Sequence, residues 1–175
     1  MFNWFLNYLE KKGRKLTIYD REDKLPYLNR YYILFPDSVK RERTDIPFNV
    51  FLHQFMKSDD DYAWHDHPWD WYFTLILKGG YWEHTPAGTK WRGPGTFKFI
   101  KMKTRHFDDF QPENGLGPSN DAHWLEVPNP GKTWTLFIRG RKNREWGFIE
   151  FKTKKWTQWK QFLAMKTAKV NNEQL

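Results

Sequence analysis

The apolar period changes twice along the chain. Residues 2 to 12 place Phe2, Phe5, Leu6 and Leu9 at helical spacing, and Gly13 follows as a stop. A short N-terminal helix is therefore expected within 1–13. After it the period becomes two. "FNVFLHQFMK" (48–57) sets Phe48, Val50, Leu52, Gln54 and Met56 against Asn49, Phe51, His53 and Phe55, as alternate faces of a strand require. "WYFTLILK" runs into Gly79-Gly80 and then "YWEH", which is a hairpin signal. "GTFKFIK" (95–101) follows the turn "GPG". "AHWLEV" (122–127), "PNPGK" and "TWTLFIRG" (133–140) make strand, turn and strand, and "EWGFIEF" (145–151) adds one more. The tail returns to helical spacing at Trp156, Trp159, Phe162, Leu163 and Lys166, which predicts a C-terminal helix over 156–170. Seven or more short strands thus lie between two terminal helices, without strand–helix alternation or internal repeat. Such a pattern predicts an all-β sandwich or barrel. "DDFQPENGLGPSND" (108–121) is a polar loop of a length that usually marks a lid or an unstructured segment.

Composition narrows this picture. At 175 residues the chain suits a single domain, residues 1–175, with a real core. Aromatic residues make up 19%, including 11 Trp and 15 Phe, which favours half-buried pleated surfaces. There is no cysteine, so disulfides, thiolate catalysis and cysteine-containing zinc fingers are excluded. "YFTLIL" (72–77) is too short to span a bilayer. The charges of "MFNWFLNYLEKKGRK" follow its apolar part, the reverse of a secretory signal. The chain reads as soluble and cytoplasmic, with no membrane partner. Net charge is +8, clustered at 11–15, 40–43, 139–144 and 152–155. Such a balance can attract nucleic acid or anionic substrates. No recognition-helix, RRM or KH pattern accompanies it, so nucleic-acid binding is not favoured.

The candidate chemistry lies in the histidines: His53, His65, His67, His84, His106 and His123. Residues two apart on a strand share a face, roughly 7 Å apart at Cα, so His65 and His67 of "HDHPWDW" can converge on one metal ion. Neutral imidazole is a common ligand for iron, zinc, copper and nickel. His123 alternates with Leu125 and Val127 on an apolar, interior face, which makes it the best third ligand. His53 reads as a packed strand histidine and His84 as exposed. Trp69, Trp71, Trp82 and Trp134 read as core, although Trp69 and Tyr72 adjoin the proposed ligands and could line a pocket. Arg144 and Glu145 suit an exposed ion pair, unless an arginine in the barrel mouth grips a carboxylate or phosphate.

"HDHPWDWYFTLILKGG" resembles the first motif of the cupin superfamily, where H-x-H precedes a strand and a glycine turn. "GTFKFIK" followed by "AHWLEVPNPGKTWTLFI" resembles the second. Over roughly 45–160 the chain is similar to small uncharacterised cupin-like proteins common in bacteriophage and bacterial genomes. The resemblance implies a double-stranded β-helix, or jelly roll, with a metal site inside. It also implies a homodimer and, for a phage-encoded protein, residence in the host cytoplasm. In the motif three or four residues separate the second histidine from a glutamate, and Trp71 and Tyr72 stand at those positions here. Asp70 and Glu83 are the substitutes, with Glu83 preferred, and either would otherwise orient an imidazole N–H. Motif spacing from Gly95 points to His106 as third histidine, and hairpin context to the preferred His123.

His65, His67, His123 and Glu83 are thus the expected metal ligands. Open coordination positions would support oxygen activation with Fe(II), the favoured ion, or Lewis-acid chemistry with Zn or Mn. A metal-dependent, oxygenase-type enzyme acting on a small molecule, anionic ones included, is the expected function. The alternatives are a non-catalytic cupin that binds a small ligand or sugar, and a basic nucleic-acid-associated protein. No serine triad, Walker loop, H-E-x-x-H or nucleotide fingerprint competes.

Overall fold

Strand β3 (Asn49–Phe55) shows what the alternation at 48–57 achieves. Asn49, Phe51, His53 and Phe55 are buried on one face, toward the interior of the molecule. The opposite face is covered too, because Leu6 and Leu9 of helix α1 (Phe2–Lys11) pack on Leu52, Tyr31 and Trp134. Gly13 ends that helix with φ 65°, its N–H donating to Glu10 C=O and Arg14 N–H to Leu9 C=O. This Schellman closure needs a left-handed residue, and glycine adopts it without Cβ strain. The computed structural model describes residues 2–20, 23–36, 46–59, 63–102 and 121–173, with backbone alone at Phe2 and 167–173.

The remaining strands are β1 (Lys15–Tyr19), β2 (Pro26–Tyr32), β4 (Ala63–His65), β5 (Trp71–Lys78), β6 (Tyr81–Thr85), β7 (Gly88–Arg92), β8 (Phe97–Lys101), β9 (Trp124–Glu126), β10 (Thr133–Arg139), β11 (Gly147–Glu150) and β12 (Trp156–Gln158). One antiparallel sheet runs β1-β2-β3-β10-β5-β8. The facing layer joins β12-β11-β4 to β9-β6-β7 through a bridge between His65 and His123. Numbering β3 through β10 one to eight, the first sheet contains the order 1-8-3-6 and the facing layer 2-7-4-5. Every connection then crosses from one layer to the other or turns a tight hairpin, which is a jelly roll of two interleaved Greek keys.

The Gly79-Gly80 turn, expected to close a hairpin, instead carries the chain from β5 in the first sheet to β6 in the facing layer, and the two strands do not pair. Gly79 has φ 73°, and a Cβ there would lie 2.7 Å from Thr133 Oγ1 and 2.8 Å from Lys132 O. Thr133 Oγ1 donates to Gly80 C=O at 2.9 Å, tying the turn to β10. Leu28, Phe55, Ile76, Tyr81, Leu125 and Val127 close one part of the interior, each such side chain contributing roughly 1.5–3 kcal/mol through burial. Tyr32, Phe51, Tyr72, Met102 and Phe137 form a second, more aromatic cluster.

The structure differs from expectation in three further places. β1 and β2 extend the first sheet back to Lys15, well before position 45. Residues 156–158 pair with β11, and helix α2 (Trp159–Glu173) starts only afterwards. Trp82 is 40% exposed rather than core, packing edge-on against Trp91 across the β6–β7 pair. Among the described residues no helix is long and apolar enough to cross a membrane.

Candidate metal centre

His65 and His123 meet because their backbones pair. His65 N–H donates to His123 C=O at 2.8 Å and His123 N–H to His65 C=O at 3.0 Å. Residues that exchange both bonds in an antiparallel pair send their side chains to the same face. His67 lies two residues on, beyond the end of β4, and its ring returns to that face. The three ring centroids are 4.8 to 5.1 Å apart. One ligand atom from each histidine lies within 4.8 Å of the other two. An ion about 2.1 Å from each nitrogen spans at most about 4.2 Å between ligands, so small ring rotations suffice to close on it.

Each imidazole has a carboxylate at its Nδ1 side. His67 Nδ1–H donates to Asp121 Oδ2 at 2.6 Å. His123 Nδ1 lies 3.1 Å from Glu83 Oε1, a distance suited to a hydrogen bond, although the angle falls short of one. His65 Nδ1 lies 3.5 Å from Asp59 Oδ2, a longer electrostatic contact. Protons drawn to Nδ1 leave the Nε2 lone pairs as the donors for an ion, and a carboxylate behind each ring fixes its orientation. Burial lowers the pKa of all three rings below 6.5. They are neutral at pH 7, the form that binds metal. Burial also opposes ionisation of Asp121 and Glu83. It is outweighed by His67 for Asp121, and by His123 and Lys98 for Glu83, so both stay ionised. The donor set therefore fits a divalent cation.

The carboxylates are themselves held. Asp59 accepts from Leu125 N–H at 2.7 Å and from the Tyr27 hydroxyl. Glu83, the expected fourth ligand, lies on the Nδ1 side of His123 and contacts Lys98 at 2.5 Å and Arg92 at 2.7 Å. It is outside the three-histidine group. Asp70 is outside it as well and accepts from Trp71 N–H at 2.9 Å. His106 lies outside the described residues, as does the loop 108–121 except for its last residue, Asp121. Between His65 and His67, Asp66 is fully buried and accepts from Gly147 N–H at 2.7 Å and from Arg144 at 3.2 Å. Burial pushes its carboxyl up to about 7. The basic stretch 139–144 is thus partly turned inward: Arg139 is buried and Arg144 pairs with Asp66, not with Glu145.

Eight strands in jelly-roll order with a histidine cluster between the layers settle the architecture. The chain has the cupin fold. No family model matches it, and neither does any curated protein. Among solved structures the chain is similar to Streptomyces PAC13 with uridine, at TM-score 0.47 and 6% identity over 79% of this chain and 87% of that one. It is also similar to a cupin-superfamily sugar phosphate isomerase from Silicibacter pomeroyi, at 0.44 and 11% over 75% and 76%. For an iron(II) form of HppE the TM-score is 0.44 and the identity 8% over 73% of this chain, which spans only 57% of the HppE chain.

A cavity of about 710 Å³ opens beside the histidines, within the range of small-molecule sites. Trp69 stacks on His67 at 5.1 Å, and Tyr72 and Phe137 stack at 5.5 Å next to it. Phe162 and Leu163 of α2 line the same cavity. His53 is buried as expected, but it faces this space and not a sealed core. His84 is held away from the site, stacked on Trp124 at 4.0 Å. The sequence reading did not single out Asp59, Asp121 or Asp66. Each has a partner far along the chain: His67 is 54 positions from Asp121, Leu125 is 66 from Asp59 and Gly147 is 81 from Asp66.

Proposed function

We propose that this cupin is a metal-dependent enzyme of the oxygenase type, using Fe(II) bound by His65, His67 and His123 and acting on a small molecule held in the adjoining cavity. The observation that carries it is the set of three neutral imidazoles, each with a carboxylate at Nδ1, facing an aromatic-walled space. An iron(II) ion there supplies dioxygen activation, whereas zinc or manganese would supply Lewis-acid chemistry.

The protein's own groups do the rest. Asp121 and Glu83 hold the rings of His67 and His123, which limits reorganisation when an ion or substrate enters. Trp69, Tyr72 and Phe137 exclude water on the side of the large sheet. The Tyr72 hydroxyl is buried without a hydrogen-bond partner among the described residues, and burial holds its pKa well above 10. It therefore keeps its proton and offers a donor close to His67, whose ring centroid is 5.0 Å from its own.

The test is elemental analysis of protein purified without added chelator, followed by oxygen uptake after anaerobic loading with Fe(II). About one metal per chain and substrate-dependent oxygen uptake are expected. Metal-free protein that takes up no Fe(II), Zn(II) or Mn(II) would remove the basis of the proposal. Bound metal without oxygen uptake across a broad substrate panel would favour a ligand-binding cupin.

A further inference from the structure

A line of polar side chains crosses the inner face of the large sheet, away from the histidine cluster. Arg30 pairs in register with His53, and His53 with Thr135, so the three share a face. The neighbouring line is Tyr32, Phe51 and Phe137. A buried polar row in an apolar sheet costs stability unless its groups are satisfied, and here they are only partly so. Arg30 Nε–H donates to His53 Nε2 at 3.0 Å. That bond uses the Nε2 lone pair and places the imidazole proton on Nδ1, leaving a second donor. The buried Thr135 hydroxyl has no partner among the described residues.

Arg30 has no carboxylate partner among the described residues, and its guanidinium rests over Phe51 at 5.1 Å. The acids lining the same cavity are taken. Asp20 binds Lys57, Asp66 binds Arg144, and Glu83 binds Lys98 and Arg92. Asp59 accepts from Tyr27 and Leu125. Arg30 is thus a half-buried cation whose counter-charge the neighbouring side chains do not supply. A continuous aromatic wall leads from it to the histidines. His53 stacks on Phe137 at 5.0 Å, Phe137 meets Trp69 at 5.0 Å, and Trp69 stacks on His67 at 5.1 Å.

We propose that Arg30 and His53 form a subsite for the carboxylate of a small molecule whose apolar body lies along Phe137 and Trp69 and whose other end reaches His65, His67 and His123. With Nε engaged by His53, the two terminal guanidinium nitrogens remain as a planar fork, which matches a carboxylate's two oxygens. One unpaired positive charge beside a neutral imidazole favours a monoanion over a dianionic phosphate. This subsite rests on the metal-centre reading only for the placement of the far end of the ligand.

The test is calorimetric titration of metal-free protein with benzoate, benzamide and phenyl phosphate. Benzoate should bind at least about ten-fold more tightly than benzamide, as a charged hydrogen-bonded contact requires, and more tightly than phenyl phosphate. Arg30→Gln should erase the benzoate preference, and Arg30→Lys, which keeps charge but loses the fork, should retain only part of it. Thermal melts check folding, and Arg30→Lys keeps the test decisive if Arg30→Gln does not fold. Metal content should be unchanged in a folded Arg30 variant. Conversely, His65→Ala/His67→Ala should lose metal yet still prefer benzoate to benzamide, which separates failure of the subsite from failure of the metal centre. Equal binding of benzoate and benzamide, tighter binding of phenyl phosphate, or an unaltered preference in the Arg30 variants would overturn the proposal.

Discussion

The six-stranded sheet and the layer facing it meet the cavity with different chemistry. From β2, β3, β5 and β10 the first presents Phe51, Phe137 and Tyr72, with polar lines at Arg30, His53 and Thr135 and at Asn49 and Arg139. From β4, β6 and β9 the facing layer presents His65 and Glu83, with His67 and His123 immediately beside the strand ends. The first sheet is centred on seven- and eight-residue strands, with five-residue strands at its two edges and a register shift where β10 meets β5 at Trp134/Thr135, and its order comes from the ladder and from side-chain packing. β4 and β9 have three residues each, and their order comes from carboxylates reaching in from other segments. Long apolar strands therefore provide a rigid wall. Short strands pinned by charges carry or flank the histidine group. Substitutions in the two layers should fail in different ways.

The largest contrast is expected from paired substitutions. His65→Ala/His67→Ala should take metal content from about one per chain to near zero, measured by elemental analysis, while leaving the far-UV circular dichroism of a folded β protein. Phe137→Ala in the opposite sheet should do the reverse. It should cost about 3–5 kcal/mol of stability by chemical denaturation while the folded fraction still binds metal. Asp121→Asn comes next. It removes the charge behind His67 without removing a ligand, and metal affinity should fall about 10- to 100-fold in a chelator competition. Equal affinity in that variant would show that the 2.6 Å contact does not orient the ring. Gly79→Ala should cost about 1–3 kcal/mol, because a left-handed residue and a close approach to Thr133 coincide there. The smallest effect is expected at Phe97, 67% exposed on the outer side of β8. Phe97→Ser should change stability by no more than about 0.5 kcal/mol.

The same contrast explains what could be read from the sequence. β3, β5 and β10 announce themselves through alternation over seven or eight residues, and the Gly79-Gly80 turn through its composition. The short strands do not, since three residues carry no period. β12 was concealed further because Trp156, Trp159, Phe162 and Leu163 match a helical spacing that only α2 uses. β2 escaped notice because "PYLNRYY" mixes polar and apolar residues on both faces, and β1 because "KLTIY" alternates over only five residues. His65 and His67 were legible from their spacing, and His123 from the apolar company of Leu125 and Val127. The carboxylates were not, because Asp121 closes a polar loop and Asp59 follows a serine in a turn-like stretch, with no local sign of their tertiary partners. Glu83 was read as a ligand, whereas Lys98 and Arg92 hold it on the Nδ1 side of His123. Those cations come from β7 and β8, and their approach depends on the sheet order.

X-ray absorption at the metal edge of Fe(II)-reconstituted protein tests the central claim most directly. The account predicts a nitrogen and oxygen shell with the outer-ring scattering of three imidazoles, falling to two in His123→Ala. A shell with one imidazole or none, or one unchanged by that substitution, would contradict it.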